Sequence, residues 1–165
     1  MAKQEPKIES INFSFRERLN ETLSGRHHNY CYQCGACVSY CPVVNYAPEF
    51  NPRMILLMAM FGLEDRLISA DSVIWKCTNC YTCYERCPQD VRPVEVITAL
   101  KNICVERGLA PALIEEYSKG ILTTGMSAPL SSAIESRREK FGLPEFKMGG
   151  YSEMKKLLAG EDNSS

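Results

Sequence analysis

Long hydrophobic runs are missing from this sequence of 165 residues. Its longest apolar stretch, from Met54 to Leu63, is about half of the ~20 residues that a helix needs to cross a bilayer. The first ten residues, MAKQEPKIES, are polar and lack the apolar centre of an export signal. We therefore expect no direct insertion into a membrane and a cytoplasmic location.

An excess of either charge is also missing, because 19 basic residues face 20 acidic ones and the net charge is −1. We consequently expect no binding to nucleic acid. Strand-like alternation of apolar and polar residues is confined to Ile11, Phe13 and Phe15. Since such alternation is the mark of half-buried strands, its scarcity favours an all-α fold.

Cysteine, by contrast, is abundant, with nine residues in a chain that shows no export signal. In that setting, cysteine-rich patterns favour metal or redox chemistry over disulfides. Eight of the nine form two runs of one spacing, C-x-x-C-x-x-C-x-x-x-C-P, and each cysteine of the first run has a counterpart 46 positions later. This repeat indicates a duplicated module. The runs are Cys31, Cys34, Cys37 and Cys41, and Cys77, Cys80, Cys83 and Cys87.

The spacing is that of bacterial ferredoxins, which hold [4Fe–4S] clusters on soft thiolate ligands. Two-residue gaps let a short loop place successive sulfurs around one cluster, and the final proline turns the chain away. In ferredoxins, the fourth cysteine of each run ligates the cluster of the other run. Carried over to this chain, that rule predicts two [4Fe–4S] clusters. The first would be held by Cys31, Cys34, Cys37 and Cys87, and the second by Cys77, Cys80, Cys83 and Cys41.

Structural zinc is the main alternative for these cysteines, since zinc also binds C-x-x-C pairs. Each run, however, supplies four cysteines and closes with Cys-Pro, which favours clusters. The ninth cysteine, Cys104, follows an apolar helical pattern, and we expect it to be a small core residue. Because eight cysteines already suffice as ligands, we expect His27 and His28 to face solvent or an interface.

Basic residues beside the cysteines bear on redox potential, because a nearby cation stabilises the more negative, reduced form of a cluster. Lys76 and Arg86 flank the second run, whereas no basic residue flanks the first run as closely. The sequence therefore predicts the higher potential for the second cluster.

Helix signals surround the two runs. Asn51 and Pro52 predict the start of a helix that ends near Gly62. Pro93 predicts the start of another helix that reaches about Arg107. Between and beyond these helices, no segment carries the pattern of a strand.

The chain divides into three predicted regions. Residues 1–13 are an N-terminal extension, and residues 145–165 are a C-terminal tail. The two-cluster domain extends over residues 14–144 and opens with a capping box made of Ser14 and Glu17.

Two such runs in a helical chain resemble the α-helical ferredoxin family, a module that also occurs in the iron–sulfur subunits of succinate dehydrogenase and fumarate reductase. Three further features make the chain similar to the family of C-type subunits in the heterodisulfide reductases of methanogenic archaea. They are the segment from Asn29 to Gly35, the helix start Asn51-Pro52-Arg53, and the segment Gly142-Leu143-Pro144.

This resemblance implies an electron-transfer role in methanogenesis. In that enzyme, the A-type subunit holds flavin and further iron–sulfur clusters, and the B-type subunit holds the CCG domains that reduce the disulfide of coenzyme M and coenzyme B. The C-type subunit passes electrons from the first to the second, and a hydrogenase or formate dehydrogenase can feed the flavin subunit. The present sequence contains no G-x-G-x-x-G fingerprint, CCG motif or catalytic constellation. We accordingly expect an electron-transfer subunit of an oxidoreductase, without catalytic residues of its own.

Two other functions fit the same residues. One is an equivalent relay in a heterodisulfide-reductase-like assembly or a quinone-linked oxidoreductase, which would share the clusters but have other partners. The other is a non-redox interaction module that binds zinc. Iron content separates the zinc module from the relays, and co-purifying partners separate the two relays from each other.

Overall fold

The computed structural model describes residues 11–128, 130–146 and 151–158. Within these ranges it contains helices and no strand, which confirms the prediction of an all-α fold. Short 3-10 turns lie at His28–Tyr30, Val43–Asn45 and Val73–Lys76. The α-helices are α1 (Phe13–Glu21), α2 (Ala36–Ser39), α3 (Pro52–Phe61), α4 (Glu64–Leu67), α5 (Thr82–Glu85), α6 (Pro93–Glu106), α7 (Ala112–Thr124), α8 (Ser132–Lys140) and α9 (Tyr151–Leu158).

The chain divides into two compact units, Met1–Ala110 and Pro111–Ser165. The first unit holds all nine cysteines and helices α1 to α6, and the second unit holds α7 to α9. The three regions expected from the sequence, with bounds at 13 and 144, stay a prediction. Their positions 1–10, 147–150 and 159–165 lie outside the described residues.

Apolar side chains on one face each of α1, α3 and α6 share a single buried core in the first unit. Leu67 of α4, with Phe50 and Ile74 from the segments between the α-helices, completes this core. Each fully buried side chain of this kind stabilises the fold by about 1.5–3 kcal/mol relative to an exposed one. The contributors from α1, α3 and α6 are Phe15, Leu19, Ile55, Leu56, Ala59, Val96, Ile97, Ala99, Leu100, Ile103 and Cys104.

Helix α3 begins and ends where the sequence predicts. The Asn51 side chain accepts a hydrogen bond from the Met54 N–H at 3.2 Å, and Pro52 is the first helical residue. Gly62 ends the helix with φ +70°, a left-handed conformation that glycine adopts without strain. A Cβ at Gly62 would lie 2.5 Å from the Asn12 carbonyl oxygen, so the close approach of α1 also requires glycine there. Helix α6 likewise starts at Pro93 and ends at Glu106, as expected.

Helix α1 begins before the predicted capping box. Its N-cap is Asn12, whose side chain accepts from the Phe15 N–H at 3.1 Å. Ser14 lies inside the helix, and its hydroxyl donates to the Asn12 side chain at 2.7 Å. The prediction of a start at Ser14 is therefore wrong, because asparagine caps a helix as well as serine does and stands closer to the N-terminus.

The duplicated spacing of the cysteines is matched by a duplicated backbone. Helices α2 and α5 have four residues each and start 46 positions apart, at Ala36 and Thr82. The residue just before the second cysteine of each loop, Gln33 or Asn79, is left-handed, with φ of 64° and 52° respectively. The structure thus carries the repeat that the sequence indicates.

In the second unit, none of the described side chains of α7 and α8 is buried. Helix α8 is capped by Ser131, whose hydroxyl accepts from the Ile134 N–H at 3.4 Å. Across the residues that the structure describes, no helix is both long enough and apolar enough to pass through a membrane.

Candidate iron–sulfur centres

Each set of four cysteines that the ferredoxin rule groups together lines one cavity. Both cavities mix cysteines from the two runs, because the fourth cysteine of each run lies in the cavity of the other. The first cavity is lined by Cys31, Cys34, Cys37 and Cys87. The second cavity is lined by Cys77, Cys80, Cys83 and Cys41.

The crossing follows from the packing of the two short helices. Helix α2 lies between the second and fourth cysteines of the first run, helix α5 occupies the same place in the second run, and α2 packs against α5. Cys37 lies within α2, and Cys41 follows it one turn later. Because the chain leaves each helix alongside its partner, Cys41 and Cys87 are delivered to the opposite loop.

Protein donors already point at sulfur in the first cavity. The Val91 backbone N–H donates to Cys87 Sγ at 3.3 Å, and the Gln33 side-chain amide donates to Cys31 Sγ at 3.3 Å. Such bonds offset negative charge on a sulfur that ligates a metal.

The second cavity has its own hydrogen bonds at sulfur. The Cys80 thiol donates to the Thr82 hydroxyl at 3.5 Å, and this hydroxyl, which can donate in turn to the thiolate, lowers the pKa of Cys80. The backbone of Val94 forms a hydrogen bond that favours the Cys83 thiolate. Both sites therefore supply N–H or O–H groups that offset negative charge on sulfur.

Burial nevertheless makes bare thiolates costly at both sites. Desolvation raises the pKa of Cys37 to about 12 and the pKa of Cys83 to about 11. At neutral pH these groups keep their protons unless a cation replaces them, and a bound metal ion deprotonates a coordinating thiol outright. The chemistry of the donor set thus fits iron, whose positive charge balances four thiolates in each cavity.

Two helix N-termini meet the cavities. In α3, Pro52 lines the second cavity and Arg53 the first, whereas in α6 Pro93 lines the first cavity and Val94 the second. The N-terminus of a helix carries a partial positive charge. Each of the two long helices of the first unit therefore presents its positive end to both candidate sites, which favours an anionic thiolate-bound group.

The spacing of the ligands argues against single metal ions. Among the described residues, no group of three or more histidine, cysteine, aspartate or glutamate side chains is close enough to hold one ion. Four thiolates on one zinc ion, with Zn–S bonds of about 2.3 Å, must converge to about 3.8 Å from each other. Sulfurs that surround a larger cluster stand farther apart than that.

Cys104, His28 and His27 lie outside the two ligand sets and differ in how deeply they are buried. Cys104 is fully buried in the core and lines neither cavity, which confirms its predicted role. His28 is also fully buried, with Nδ1 2.8 Å from the Gly25 carbonyl oxygen, so the expectation that it faces solvent or an interface is wrong. The 3-10 turn directs its ring inward, and burial lowers the pKa of His28. His27 is half-buried and packs edge-on against Tyr30.

The cations near the cysteines also differ from the sequence-based expectation. Lys76 forms an ion pair with Glu49, and the Arg86 guanidinium lies over the Tyr40 ring, so neither lines a cavity. Lys101 is a residue that sequence reasoning missed. It reaches from α6 to donate to the Cys77 carbonyl oxygen at 3.1 Å, and no feature of its position in the sequence signals this contact.

Comparison with known families bears on the same segment. Residues 27–91 match the family model of the 4Fe-4S dicluster domain. This match contains both cysteine runs and hence every cysteine of the two cavities. The chain is accordingly a two-cluster [4Fe–4S] protein with an all-α fold.

Similarity to three known proteins defines the family of this chain more specifically. The chain is 40% identical over 114 residues to the second C-type iron–sulfur subunit of CoB–CoM heterodisulfide reductase from Methanocaldococcus jannaschii, covering 69% of this chain and 60% of that protein. It is 32% identical over 144 residues to the C-type iron–sulfur subunit of the same enzyme from Methanopyrus kandleri, covering 83% and 74%. It is 33% identical over 136 residues to the C-type subunit of H2:CoB–CoM heterodisulfide,ferredoxin reductase from Methanothermobacter marburgensis, covering 82% and 72%.

The chain belongs to this family, the C-type iron–sulfur subunits of heterodisulfide reductases. The matches extend over 60% to 74% of the lengths of these relatives. By their names, these relatives are subunits of oxidoreductase complexes. The resemblance drawn from the cysteine runs and the flanking motifs is therefore confirmed.

Proposed function

We propose that this chain passes electrons one at a time from the flavin-containing A-type subunit to the B-type subunit of a heterodisulfide reductase complex in the cytoplasm. The B-type subunit, with its CCG domains, would then reduce the disulfide of coenzyme M and coenzyme B. Membership in the family of C-type subunits supports this role. Relatives with H2 or formate in their names support the further proposal that a hydrogenase or formate dehydrogenase feeds the flavin subunit.

The proposed ligands follow the cavities. The main support for this ligand set is that Cys87 lies among the cysteines of the first run and Cys41 among those of the second. Each cluster then joins both halves of the first unit, so we expect the metal-free chain to be largely unfolded. We propose Cys31, Cys34, Cys37 and Cys87 for the first cluster, and Cys77, Cys80, Cys83 and Cys41 for the second.

A [4Fe–4S] cluster supplies a one-electron redox couple when it is bound. The residues of this chain hold it, shield it and balance its charge. Leu56 lines the first cavity and Ile97 the second, and such apolar lining limits the access of water. The Val91 N–H and the Thr82 hydroxyl offset charge on sulfur. None of these tasks requires contact with a substrate, so the chain conducts electrons and leaves bond-breaking to its partners.

The proposed role is tested by anaerobic affinity purification of the tagged chain from its native cells. We expect a flavoprotein and a CCG-domain protein to co-purify with it, and we expect the reduced flavoprotein to pass electrons to the CCG-domain protein only when this chain is present. Cys104→Ala is the matched control and keeps both properties, because Cys104 lines neither cavity. Recovery of a membrane cytochrome in place of these partners, or of a chain that contains zinc, would contradict the proposal.

A further inference from the structure

Arg53 has a buried hydrogen-bond donor that the polypeptide does not use. This residue, the second of α3, lines the first cavity together with Cys31 and Cys87. Its Nε is buried and has no hydrogen-bond partner among the described residues. Arg53 as a whole is half-buried, and Arg16 Nε is also buried without a partner, but Arg16 lines neither cavity. The unpaired Nε of Arg53 stands apart because it belongs to a residue of the first cavity, where a thiolate-bound group would supply an acceptor.

The other cations around the cysteines have partners within the protein. None of them lines the first cavity. The guanidinium carbon of Arg86 lies 4.6 Å from the centroid of the Tyr40 ring. Arg92 forms an ion pair with Asp90 at 3.0 Å, and Lys76 forms one with Glu49.

The second cavity shows the contrast most clearly. Lys101, a cation beside this cavity, donates to the Cys77 carbonyl oxygen at 3.1 Å and to the Asn79 side-chain oxygen at 3.3 Å. The ammonium group is therefore directed at oxygen atoms of the loop. Arg53, whose Nε has no such oxygen, lines the first cavity beside Cys31 and Cys87.

We propose that Arg53 donates its Nε–H to the cluster in the first cavity and thereby raises the reduction potential of that cluster. The proposal rests on the proposed ligand set. Four thiolates give a [4Fe–4S] site a net negative charge, and one-electron reduction increases that charge. A cationic donor at a site of low dielectric constant stabilises the reduced form more than the oxidised form, because the attraction grows with the charge.

The first test is an EPR-monitored redox titration of the anaerobically purified chain and of Arg53→Met, which removes the charge and the donor but keeps an unbranched apolar stem. We expect the reduced-to-oxidised ratio of the first cluster at a fixed potential to fall at least tenfold, which is a midpoint shift of about 59 mV for a one-electron couple. The midpoint of the second cluster is expected to stay unchanged. Cys34→Ser identifies the signal of the first cluster, since Cys34 lines only the first cavity.

Arg86→Gln is the matched control. It removes the same charge from a residue next to Cys87, but the guanidinium of Arg86 lies over the Tyr40 ring. We expect a much smaller change in the midpoint of the first cluster than in Arg53→Met. Equal shifts in the two variants would overturn the proposal, because they would show that any nearby positive charge has the same effect.

A second readout does not depend on the assembly of a variant. Pulsed EPR of the wild-type chain labelled with 15N-arginine is expected to show a nitrogen coupling on the signal of the first cluster. Arg53→Lys is expected to lose this coupling while it keeps part of the potential, because lysine retains the charge but has no Nε. A wild-type chain with two clusters and no arginine coupling would overturn the proposal even if Arg53→Met failed to assemble. Fewer than two clusters in the wild type would instead contradict the proposed function.

Discussion

The two cysteine loops share one spacing and one backbone, yet they differ at the residue that follows the second cysteine. This residue is Gly35 in the first loop and Tyr81 in the second, and both are left-handed, with φ of 85° and 61°. A Cβ at Gly35 would meet no atom within 4 Å, so the first loop is open at this point. Tyr81 lines the second cavity and packs against Tyr84, with 5.9 Å between ring centroids. The second loop thus places an aromatic ring at a position where the first loop has no side chain.

The two sites also differ in how they use positive charge. Arg53 lines the first cavity with an unpaired donor, whereas Lys101 is bound to oxygen atoms of the second loop. The duplication therefore keeps the ligands but lets helices α3 and α6, which lie outside the repeat, tune each site separately. The sequence-based order of the two potentials stays a prediction, although Lys76, one of its two supports, is paired with Glu49.

The largest expected effect comes from removing the crossed ligands. Cys87→Ala should abolish the first cluster although Cys87 belongs to the second run, and Cys41→Ala should abolish the second cluster. In each variant iron should fall from about eight to about four atoms per chain, because a cluster needs four thiolates. Iron analysis and EPR of anaerobically purified protein measure this change.

The matching control is Cys104→Ala, which should keep about eight iron atoms per chain since all eight ligands remain. Signals are assigned with Cys34→Ser and Cys80→Ser, whose cysteines line the first and second cavity respectively. Loss of the second cluster from Cys87→Ala would show that each run binds its own cluster without crossing.

An intermediate effect is expected from exchanging the residues that distinguish the loops. Tyr81→Gly relieves a left-handed tyrosine, a conformation that costs roughly 1–2 kcal/mol for residues other than glycine. It also opens the second cavity, so oxygen should bleach the second cluster several times faster. Gly35→Tyr should have the opposite effect on the first cluster. The decay of visible absorbance and of each EPR signal in air gives these rates.

Tyr46→Gly serves as the reference for that exchange, because Tyr46 is 90% exposed and lines neither cavity. Its bleaching rates should equal those of the wild type. If Tyr81→Gly bleached at the same rate as Tyr46→Gly, Tyr81 would not shield the second cluster. The two loops would then be equally accessible to oxygen.

The smallest effect is expected from Lys101→Met. Removing this half-buried cation should lower the midpoint of the second cluster by less than about 59 mV, a change below tenfold in the reduced-to-oxidised ratio. The effect is limited because the ammonium donates to oxygen and acts on the cluster only through space. Lys76→Met should shift neither midpoint, since Glu49 already offsets that charge. A larger shift in Lys76→Met than in Lys101→Met, seen by redox titration, would reverse this ranking.

The sequence was most informative where local geometry decides the structure. The two cysteine runs are recognised by their short fixed gaps, and their crossed grouping was carried over from the ferredoxin rule. The start of α3 follows from Asn51 and Pro52, whose effects act within one turn. The roles of Arg53 and Lys101 depend on where α3 and α6 lie relative to loops far along the chain, and no local pattern encodes that position. His28 was misplaced for the same reason, because its burial depends on a turn that packs its ring against distant residues.

The most direct test of the two-cluster structure is the spin count of the fully reduced wild-type chain, measured by EPR alongside iron and zinc analysis of the same anaerobic sample. We predict about eight iron atoms and about two unpaired spins per chain, one for each [4Fe–4S] cluster, with no stoichiometric zinc. A single spin with about four iron atoms, or zinc in place of iron, would contradict that structure.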